Sequence, residues 1–259
     1  MHITSLGSSF AAGPGLEPLS DSKAKRSAVN YPSLLAKSLG ATHTDLTVSG
    51  ATLLNIASVP QKILFNVFEP QVDGIPVATD VVTITGGGND LQYIGKMMMA
   101  NASGLMQTII KTAAWALGHD VNATLPDEAE LLRRFHDVYD RIHTRAPSAH
   151  ILLVGYPALL GLDADSSTTP YSAEQIDTFK GIASDLERAS AKSTEGRPLV
   201  HYISLAQVSE THGIGSATPW VSGADFSFFG GPAPLHPTKE GMVEIARIVE
   251  QKMRELDLV

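Results

Sequence analysis

Hydrophobic and polar positions along the chain follow two periods, one typical of strands and one typical of helices. Five short runs are rich in β-branched or aliphatic residues, and three of them end in glycine turns. Runs of this kind, bounded by turn residues, predict strands that are buried in a sheet. The predicted strands cover residues 1–6, 44–48, 80–85, 150–157 and 199–205.

The segments between these strands mostly show the other period, with apolar residues recurring every three or four positions. That spacing places the apolar residues on one face of a helix. In the first such segment Pro32 lies in the opening turn and Gly40 ends the pattern, as helix start and stop signals do. The predicted helices lie near residues 31–39, 53–56, 125–142, 172–192 and 242–256, and an apolar, methionine-rich segment covers residues 91–118.

Strands that alternate with helices at this spacing predict an α/β fold. We expect a three-layer α/β/α sandwich with a mainly parallel five-stranded sheet. With 259 residues, 43% of them hydrophobic, the chain can bury one large core, so a single domain over residues 1–259 is expected. The methionines of the 91–118 segment fit such a core, although a methionine stripe can also line a pocket for an acyl chain.

Charge and composition narrow the classes of partner and of chemistry. The formal net charge is −8, which argues against a nucleic acid or an anionic membrane as the main partner. The chain has no cysteine, so disulfides, thiolate metal sites and a cysteine nucleophile are excluded. No apolar run reaches the roughly 18 residues of a membrane span. Neutral or cationic small molecules therefore fit best as substrates.

The beginning of the chain bears on its compartment. The first predicted strand starts at once, without the basic and apolar regions of a signal peptide. A cytoplasmic protein is therefore expected, although a secreted protein lacking its leader would have the same sequence. Asn101 and Asn122 each begin a glycosylation acceptor pattern, but so short a pattern often arises by chance.

Candidate chemistry is concentrated where the predicted strands end. Ser9 follows the first strand in a glycine-rich turn, and α/β folds bind ligands at the carboxyl ends of their parallel strands. A serine there suits a nucleophile, although serine also caps helices. Ester hydrolysis by serine further needs a base and donors for an oxyanion. His236 is the candidate base, and the candidate donors are the N–H groups of Ser9 and Gly50 and the side-chain amide of Asn89.

Two other kinds of site have weaker support. His136, Asp140 and His143 share one face of a predicted helix at a spacing that could bind a metal. No further ligand lies nearby in the sequence, so we interpret these residues as a solvated face and expect no metal site. The three glycines at 86–88 lack the lysine of a phosphate loop and the spacing of a dinucleotide motif, which argues against nucleotide binding.

Four short blocks of the sequence resemble the signature of the SGNH hydrolases, also known as the GDSL esterase and lipase family. They follow the family's order of serine, glycine, asparagine and histidine blocks, and they are Gly7-Ser8-Ser9, Ser49-Gly50-Ala51, Gly86-Gly87-Gly88-Asn89-Asp90 and Leu235-His236-Pro237. The resemblance implies a flavodoxin-like three-layer fold and a serine esterase that needs no cofactor. It also implies that Ser9 is the nucleophile and His236 the base, with Ser9, Gly50 and Asn89 forming the oxyanion hole.

The sequence departs from the family pattern at two positions. The family has an aspartate just before its serine, where this chain has Ser8, and this change affects the turn more than the chemistry. The family usually has a second aspartate three residues before the histidine, where this chain has Ala233. Some members use a backbone carbonyl instead, so we expect a serine–histidine dyad in which a carbonyl of the 232–235 segment, that of Ala233, orients His236. Asp225 is the candidate for a displaced acid.

The resemblance favours a carboxylic ester hydrolase, an esterase or lipase that acts on a small-molecule ester. Two alternatives stay open: a carbohydrate O-acetylesterase, and a catalytically impaired small-molecule-binding protein on the same fold, which Ala233 suggests. A pure binding protein has no need of all four blocks, which argues against the second alternative. Phe226, Phe228 and Phe229 precede the base and suggest either an apolar wall for the substrate or an anchor for the loop. Nothing in the sequence indicates the oligomeric state.

Overall fold

A central sheet of five parallel strands organises the fold. The computed structural model describes residues 1–102, 104–116, 124–225 and 231–259. The strands are β1 (His2–Gly7), β2 (Leu19–Asp21), β3 (Arg26–Ser27), β4 (Thr42–Asp45), β5 (Gln61–Ile63), β6 (Asn66–Phe68), β7 (Val81–Thr85), β8 (His150–Val154) and β9 (Val200–Ile203). The central sheet has the order β4-β1-β7-β8-β9, and all of its neighbouring strands are parallel.

The five-stranded parallel sheet expected from the sequence is confirmed. All five residues of β7 are buried, as expected for a central strand that is covered on both faces. In the register of the sheet, Thr4 of β1 lies opposite Thr44 of β4 on one side and Val82 of β7 on the other. Because the strands are parallel, their carboxyl ends meet at one edge of the sheet.

Helices cover both faces of this sheet. They are α1 (Ser9–Ala12), α2 (Tyr31–Ser38), α3 (Leu53–Ala57), α4 (Tyr93–Asn101), α5 (Leu105–Ala116), α6 (Glu128–Arg145), α7 (Ala173–Ser193) and α8 (Lys239–Glu255). α2 and α8 pack together on one face around Leu35 and Val249, whereas α3, α6 and α7 pack on the other around Phe135 and Leu186. The predicted three-layer sandwich is therefore observed. Among the described residues, no helix is both long and apolar enough to cross a bilayer.

The methionine-rich segment forms α4 and α5, which are separated near Gly104. Met97 is fully buried in a cluster with Phe10 and Tyr93, so this methionine belongs to the core. The described residues include neither the side chains at positions 106, 110 and 115 nor the acceptor pattern that begins at Asn122. The alternative role of this segment, as the lining of an acyl pocket, therefore stays a hypothesis.

Two short hairpins were not expected from the sequence. β2 pairs with β3, and β5 pairs with β6, in antiparallel two-stranded sheets. Each of these strands has only two or three residues, too few to show a periodic pattern. The β5–β6 hairpin packs its Ile63 against Ala24 and Val48, just before the glycine block. Both hairpins therefore lie outside the central sheet.

Candidate active site

The serine block lies at the carboxyl end of β1, which pairs with β4 on one side and with the middle strand β7 on the other. Gly7, the last residue of β1, has a φ of +137°, and a Cβ at this position would lie 2.4 Å from the Thr85 carbonyl oxygen. Only glycine fits such a close approach. The Ser8 N–H donates to the same carbonyl oxygen at 2.9 Å, and Ser9 then begins α1. The chain thus turns sharply at the sheet edge and leaves Ser9 half-buried there.

Continued strand pairing aligns the glycine block with the serine block. Beyond β4 the chain stays beside β1, and the Val48 N–H donates to the Gly7 carbonyl oxygen at 3.1 Å. Gly50 follows in a turn with a φ of +84°. Among the described residues, neither the Ser9 N–H nor the Gly50 N–H donates to a protein acceptor. Both of the expected backbone donors are therefore free to bind a ligand.

Asn89 and Asp90 follow β7, and their side chains have different partners. Asn89 Nδ2 donates to the Ala51 carbonyl oxygen at 2.9 Å, which holds the amide against the glycine block. The Asp90 carboxylate accepts from the Leu53 N–H at the start of α3 and from the Arg134 guanidinium of α6, both at 2.9 Å. Burial raises the pKa of Asp90, although both hydrogen bonds oppose the shift. Asp90 therefore holds the turn after β7 against α3 and α6. Asn89 keeps one amide N–H that can bind a ligand.

Tyr156, in the loop after β8, links the serine and asparagine blocks. Its hydroxyl accepts from the Gly88 N–H at 3.1 Å and lies 3.3 Å from Ser8 Oγ. A Cβ on Gly88 would lie 2.7 Å from this hydroxyl, so the approach requires glycine. Burial raises the pKa of Tyr156 to about 12, which keeps the hydroxyl protonated and able to donate to Ser8. The ring also packs on Phe10, with centroids 4.6 Å apart.

Ser222 holds the histidine block in place. Its hydroxyl donates to the Ala233 carbonyl oxygen at 2.7 Å and accepts from the His236 N–H at 3.2 Å. Its N–H donates to the His236 carbonyl oxygen at 2.9 Å. The Ala233 N–H in turn donates to the Pro14 carbonyl oxygen at 2.9 Å, in the turn that follows α1. The segment just before the histidine block is therefore hydrogen-bonded to the turn that follows α1.

The His236 ring contacts Ser9 and a backbone carbonyl. Nε2 lies 2.7 Å from Ser9 Oγ, and Nδ1 lies 2.7 Å from the Pro234 carbonyl oxygen. Because a carbonyl oxygen can only accept, Nδ1 carries the proton, and Nε2 accepts from the Ser9 hydroxyl. This is the tautomer that a general base requires. Burial lowers the pKa of His236 to about 4, opposed in part by the Pro234 hydrogen bond, so the ring is neutral at pH 7.

The carbonyl bonded to His236 belongs to Pro234 and not, as expected, to Ala233. The Ala233 carbonyl oxygen instead accepts from a serine hydroxyl and from the backbone N–H of the histidine. Leu235 has a φ of +63°, and this left-handed turn brings the Pro234 carbonyl to the ring. Asp225, the candidate displaced acid, is exposed and forms no hydrogen bond or ion pair with any described residue. Within the part of the chain that the structure describes, the imidazole is thus oriented by the partial charge of a carbonyl and not by a carboxylate.

The other residues considered as ligands have their own partners. The rings of His136 and His143 hydrogen-bond to backbone carbonyl oxygens, and Asp140 forms an ion pair with Arg197. In the part of the chain that the structure describes, no cluster of three or more potential metal ligands occurs. The phenylalanines at 226, 228 and 229 lie outside the described residues, so the apolar wall stays a prediction.

A cavity of about 270 Å³ lies where β8 and β9 end, against α7. Its lining includes Tyr156, whose hydroxyl contacts Ser8, and the hydrogen-bonded pair of the Tyr202 hydroxyl and the Glu187 carboxylate. Neither Ser9 nor His236 lines this cavity. The cavity therefore adjoins the candidate site without containing its reactive groups.

Three side chains that hold the site were not expected from the sequence: those of Gln71, Tyr156 and Ser222. Gln71 brackets Gly7, because its Oε1 accepts from the Gly7 N–H at 2.7 Å and its Nε2 donates to the Gly7 carbonyl oxygen at 3.0 Å. These side chains bind residues that are distant in the sequence, so their roles emerge only in the folded chain. Tyr156 alone carried a signal, since it ends a predicted strand at the ligand-binding edge.

Comparison with known proteins points to one family. The model of the GDSL-like Lipase/Acylhydrolase family matches residues 5–243. Lipase 2 of Streptomyces coelicolor is 27% identical over 266 aligned residues, which cover 100% of this chain and 86% of that protein. The sequence similarity therefore includes all four blocks.

Solved structures give the same fold. The extracellular lipase from Streptomyces rimosus has a TM-score of 0.69 and 23% identity, covering 95% of this chain and 98% of that chain. Phospholipase A1 from Streptomyces albidoflavus has a TM-score of 0.72 and 21% identity, covering 97% of this chain and 98% of that chain. At these identities the two structures support the fold alone.

Proposed function

Because the chain belongs to the GDSL-like lipase/acylhydrolase family and is a carboxylic ester hydrolase, we propose that it works through an acyl-enzyme on Ser9, with His236 as the base. One observation carries this proposal: Ser9 Oγ lies 2.7 Å from His236 Nε2 while Pro234 holds the proton of the ring on Nδ1. This arrangement prepares the hydroxyl to lose its proton as it attacks.

In the acylation step, Ser9 Oγ forms a bond to the ester carbonyl carbon, and its proton moves to His236 Nε2. The bond between carbon and the leaving oxygen then breaks, and the same proton passes to the departing alcohol. Water next attacks the acyl-enzyme and gives a proton to Nε2. When the second tetrahedral intermediate collapses, that proton returns to Oγ, and the carboxylic acid leaves.

Stabilisation of the tetrahedral intermediate falls to three N–H donors in this proposal. The backbone N–H groups of Ser9 and Gly50 are free among the described residues, and Asn89 keeps one amide N–H beside the glycine block. The developing oxyanion also favours the imidazolium, because an opposite charge nearby stabilises it. This assistance matters here, since the Nδ1 partner of His236 among the described residues is a carbonyl dipole and not a full negative charge.

The substrate class that we propose is an ester with an apolar acyl chain. Phe10 packs against the His236 ring, with centroids 5.1 Å apart, so the base sits on an apolar surface. The similar Streptomyces coelicolor protein, aligned over the whole chain, is named a lipase. The catalytically impaired binding protein has less support. Ala233, in place of the family's aspartate, suggested that alternative, but the Pro234 carbonyl can orient His236 without an aspartate. The carbohydrate O-acetylesterase remains the alternative to test.

A series of p-nitrophenyl esters, from acetate to laurate, measures the preference for the acyl chain. Each methylene buried on binding contributes about 0.8 kcal/mol, so we expect kcat/KM to rise up to about fourfold per methylene until the site is filled. Acetylated sugars provide the comparison, with kcat/KM expected at least about tenfold below the best ester. A preference for acetylated sugars over every longer acyl ester would favour the carbohydrate O-acetylesterase.

The compartment that this proposal favours is the outside of the cell. The Streptomyces rimosus lipase, which shares the fold, is described as extracellular. That likeness favours the secreted alternative over the cytoplasmic expectation. Expression of the native gene in its own host, followed by activity assays of cells and medium, would distinguish the two.

The proposed dyad has a pH dependence that differs from that of a triad. Because burial lowers the pKa of His236 to about 4, the base is neutral and active above that pH and protonated and inactive below it. We therefore expect the acid limb of kcat/KM to have its midpoint near pH 4, below the ordinary histidine value of about 6.5. The measurement is kcat/KM of a soluble ester across the acid range, with folding monitored by circular dichroism.

Asp225→Asn tests for a displaced acid, and Asp163→Asn, another exposed aspartate, is its matched control. Both variants should keep kcat within about tenfold of wild type and leave the acid limb unchanged. In a serine–histidine–aspartate triad the same change lowers kcat by about ten-thousandfold. A loss of that size in Asp225→Asn, with Asp163→Asn unaffected, would refute the dyad.

A further inference from the structure

The tip of the β5–β6 hairpin presents apolar side chains to solvent. Phe65 is fully exposed, and Leu64 and Val67 are exposed by 68% and 58%. Isolated apolar residues are ordinary on protein surfaces, but a contiguous group marks a binding surface. We call residues 64–67 the hairpin tip. Asn66 and Val67 pair with Ile63 and Lys62 across the hairpin, so the tip can contact an apolar phase without unpairing β5 from β6.

Strand β5 of this hairpin is attached to the glycine block and to the residues beside it. Ile63 packs on Ala24 and Val48, and Gln61 Nε2 donates to the Ser49 carbonyl oxygen at 2.9 Å. Ser49 directly precedes Gly50, one of the proposed oxyanion donors. The structure that presents this donor therefore also carries the hairpin tip. A surface that binds the tip would lie beside the candidate site.

Charge selects the kind of surface. Residues 61–68 contain one charged side chain, Lys62, and no carboxylate, although the whole chain has a net charge of −8. An anionic surface would be repelled by the protein as a whole, whereas an uncharged or zwitterionic one would not. We propose that the hairpin tip docks on an uncharged or zwitterionic lipid–water interface in which the ester substrate collects. This inference rests on the proposed function, which supplies the substrate class, an ester with an apolar acyl chain.

Binding is tested without turnover by using Ser9→Ala as the parent and phosphatidylcholine vesicles as the probe. In a co-sedimentation assay, adding Leu64→Ser and Phe65→Ser should weaken vesicle partitioning at least about tenfold, since two large apolar side chains are lost from the contact. Val77→Ser is the matched control, because Val77 is 77% exposed but precedes β7 at the opposite edge of the sheet. The control should bind as the parent does.

A second variant checks insertion directly. Phe65→Trp in the Ser9→Ala parent keeps the tip apolar, and its added emission should shift to shorter wavelength with phosphatidylcholine vesicles. With Ser9 intact, the double serine variant should hydrolyse a soluble monomeric ester at the wild-type rate but lose at least about tenfold on the same ester dispersed above its solubility. Circular dichroism would establish that each variant is folded.

Several results would overturn the inference. These are equal vesicle binding by the parent and the double variant, an equal loss in Val77→Ser, and binding that requires anionic phosphatidylglycerol. A wild-type dimer that the double serine variant converts to a monomer in sedimentation analysis would assign the tip to a second copy of the chain. Failure of the proposed mechanism is separate, because it would appear as soluble-ester hydrolysis by Ser9→Ala, whatever the vesicles bind.

Discussion

Ser9→Ala and His236→Ala are each expected to lower kcat for a soluble ester by at least about ten-thousandfold. Without Oγ no acyl-enzyme forms, and without Nε2 no group accepts the hydroxyl proton in the 2.7 Å contact. The double variant should be scarcely slower than either single one, because the two residues act as a unit. The measurement is single-variant and double-variant kcat on a p-nitrophenyl ester.

Ser8→Ala is the matched control for these variants. Ser8 is the adjacent serine, but its Oγ lies beside the Tyr156 hydroxyl and not beside a histidine. We expect it to keep kcat within about tenfold of wild type. A serine-directed organophosphorus reagent should label Ser9 alone, as identified by peptide mass spectrometry. Labelling of another serine, or wild-type turnover by Ser9→Ala, would contradict the proposed nucleophile.

The sheet could be predicted because strands that are buried on both faces are rich in aliphatic and β-branched residues. β7 is buried at all five positions, and the two-faced burial that requires this also makes the strand conspicuous. The β5–β6 hairpin left no such pattern. Its strands have three residues each, and Leu64 and Phe65 at its turn are apolar where a turn is usually polar. Because these two apolar residues are exposed in a turn, the rule that turns are polar did not predict this hairpin.

The candidate site could be predicted in part, since its four blocks follow strands or precede a helix. The contact between Ser9 and His236 agrees with that expectation, although 227 positions separate them in the sequence. The choice of Pro234 over Ala233 was not predictable, because it depends on the left-handed turn at Leu235. A sequence pattern identifies an aspartate side chain by its position. The direction of a backbone carbonyl depends instead on the φ and ψ angles, which the pattern does not give.

Asn89→Ala is the second change with a large expected effect. We expect kcat to fall by about a hundredfold or more, as is usual when one oxyanion donor is removed. KM and thermal stability should change little. The lost hydrogen bond joins Asn89 to the Ala51 carbonyl oxygen, but the asparagine block is also held by the Tyr156 hydroxyl at Gly88 and by the bond from the Leu53 N–H to Asp90. The measurements are kcat and KM on a soluble ester, together with the melting temperature.

Asp90→Asn is the matched control, because it alters the neighbouring side chain and spares the amide donor. Its carboxylate accepts from the Leu53 N–H and from Arg134, so replacing it weakens a charged hydrogen bond worth about 1.5–3 kcal/mol. We expect the melting temperature to fall by several degrees while kcat stays within about tenfold of wild type. The opposite pattern, with Asn89→Ala lowering stability and Asp90→Asn lowering kcat at unchanged stability, would assign the oxyanion donor and the structural anchor the wrong way round.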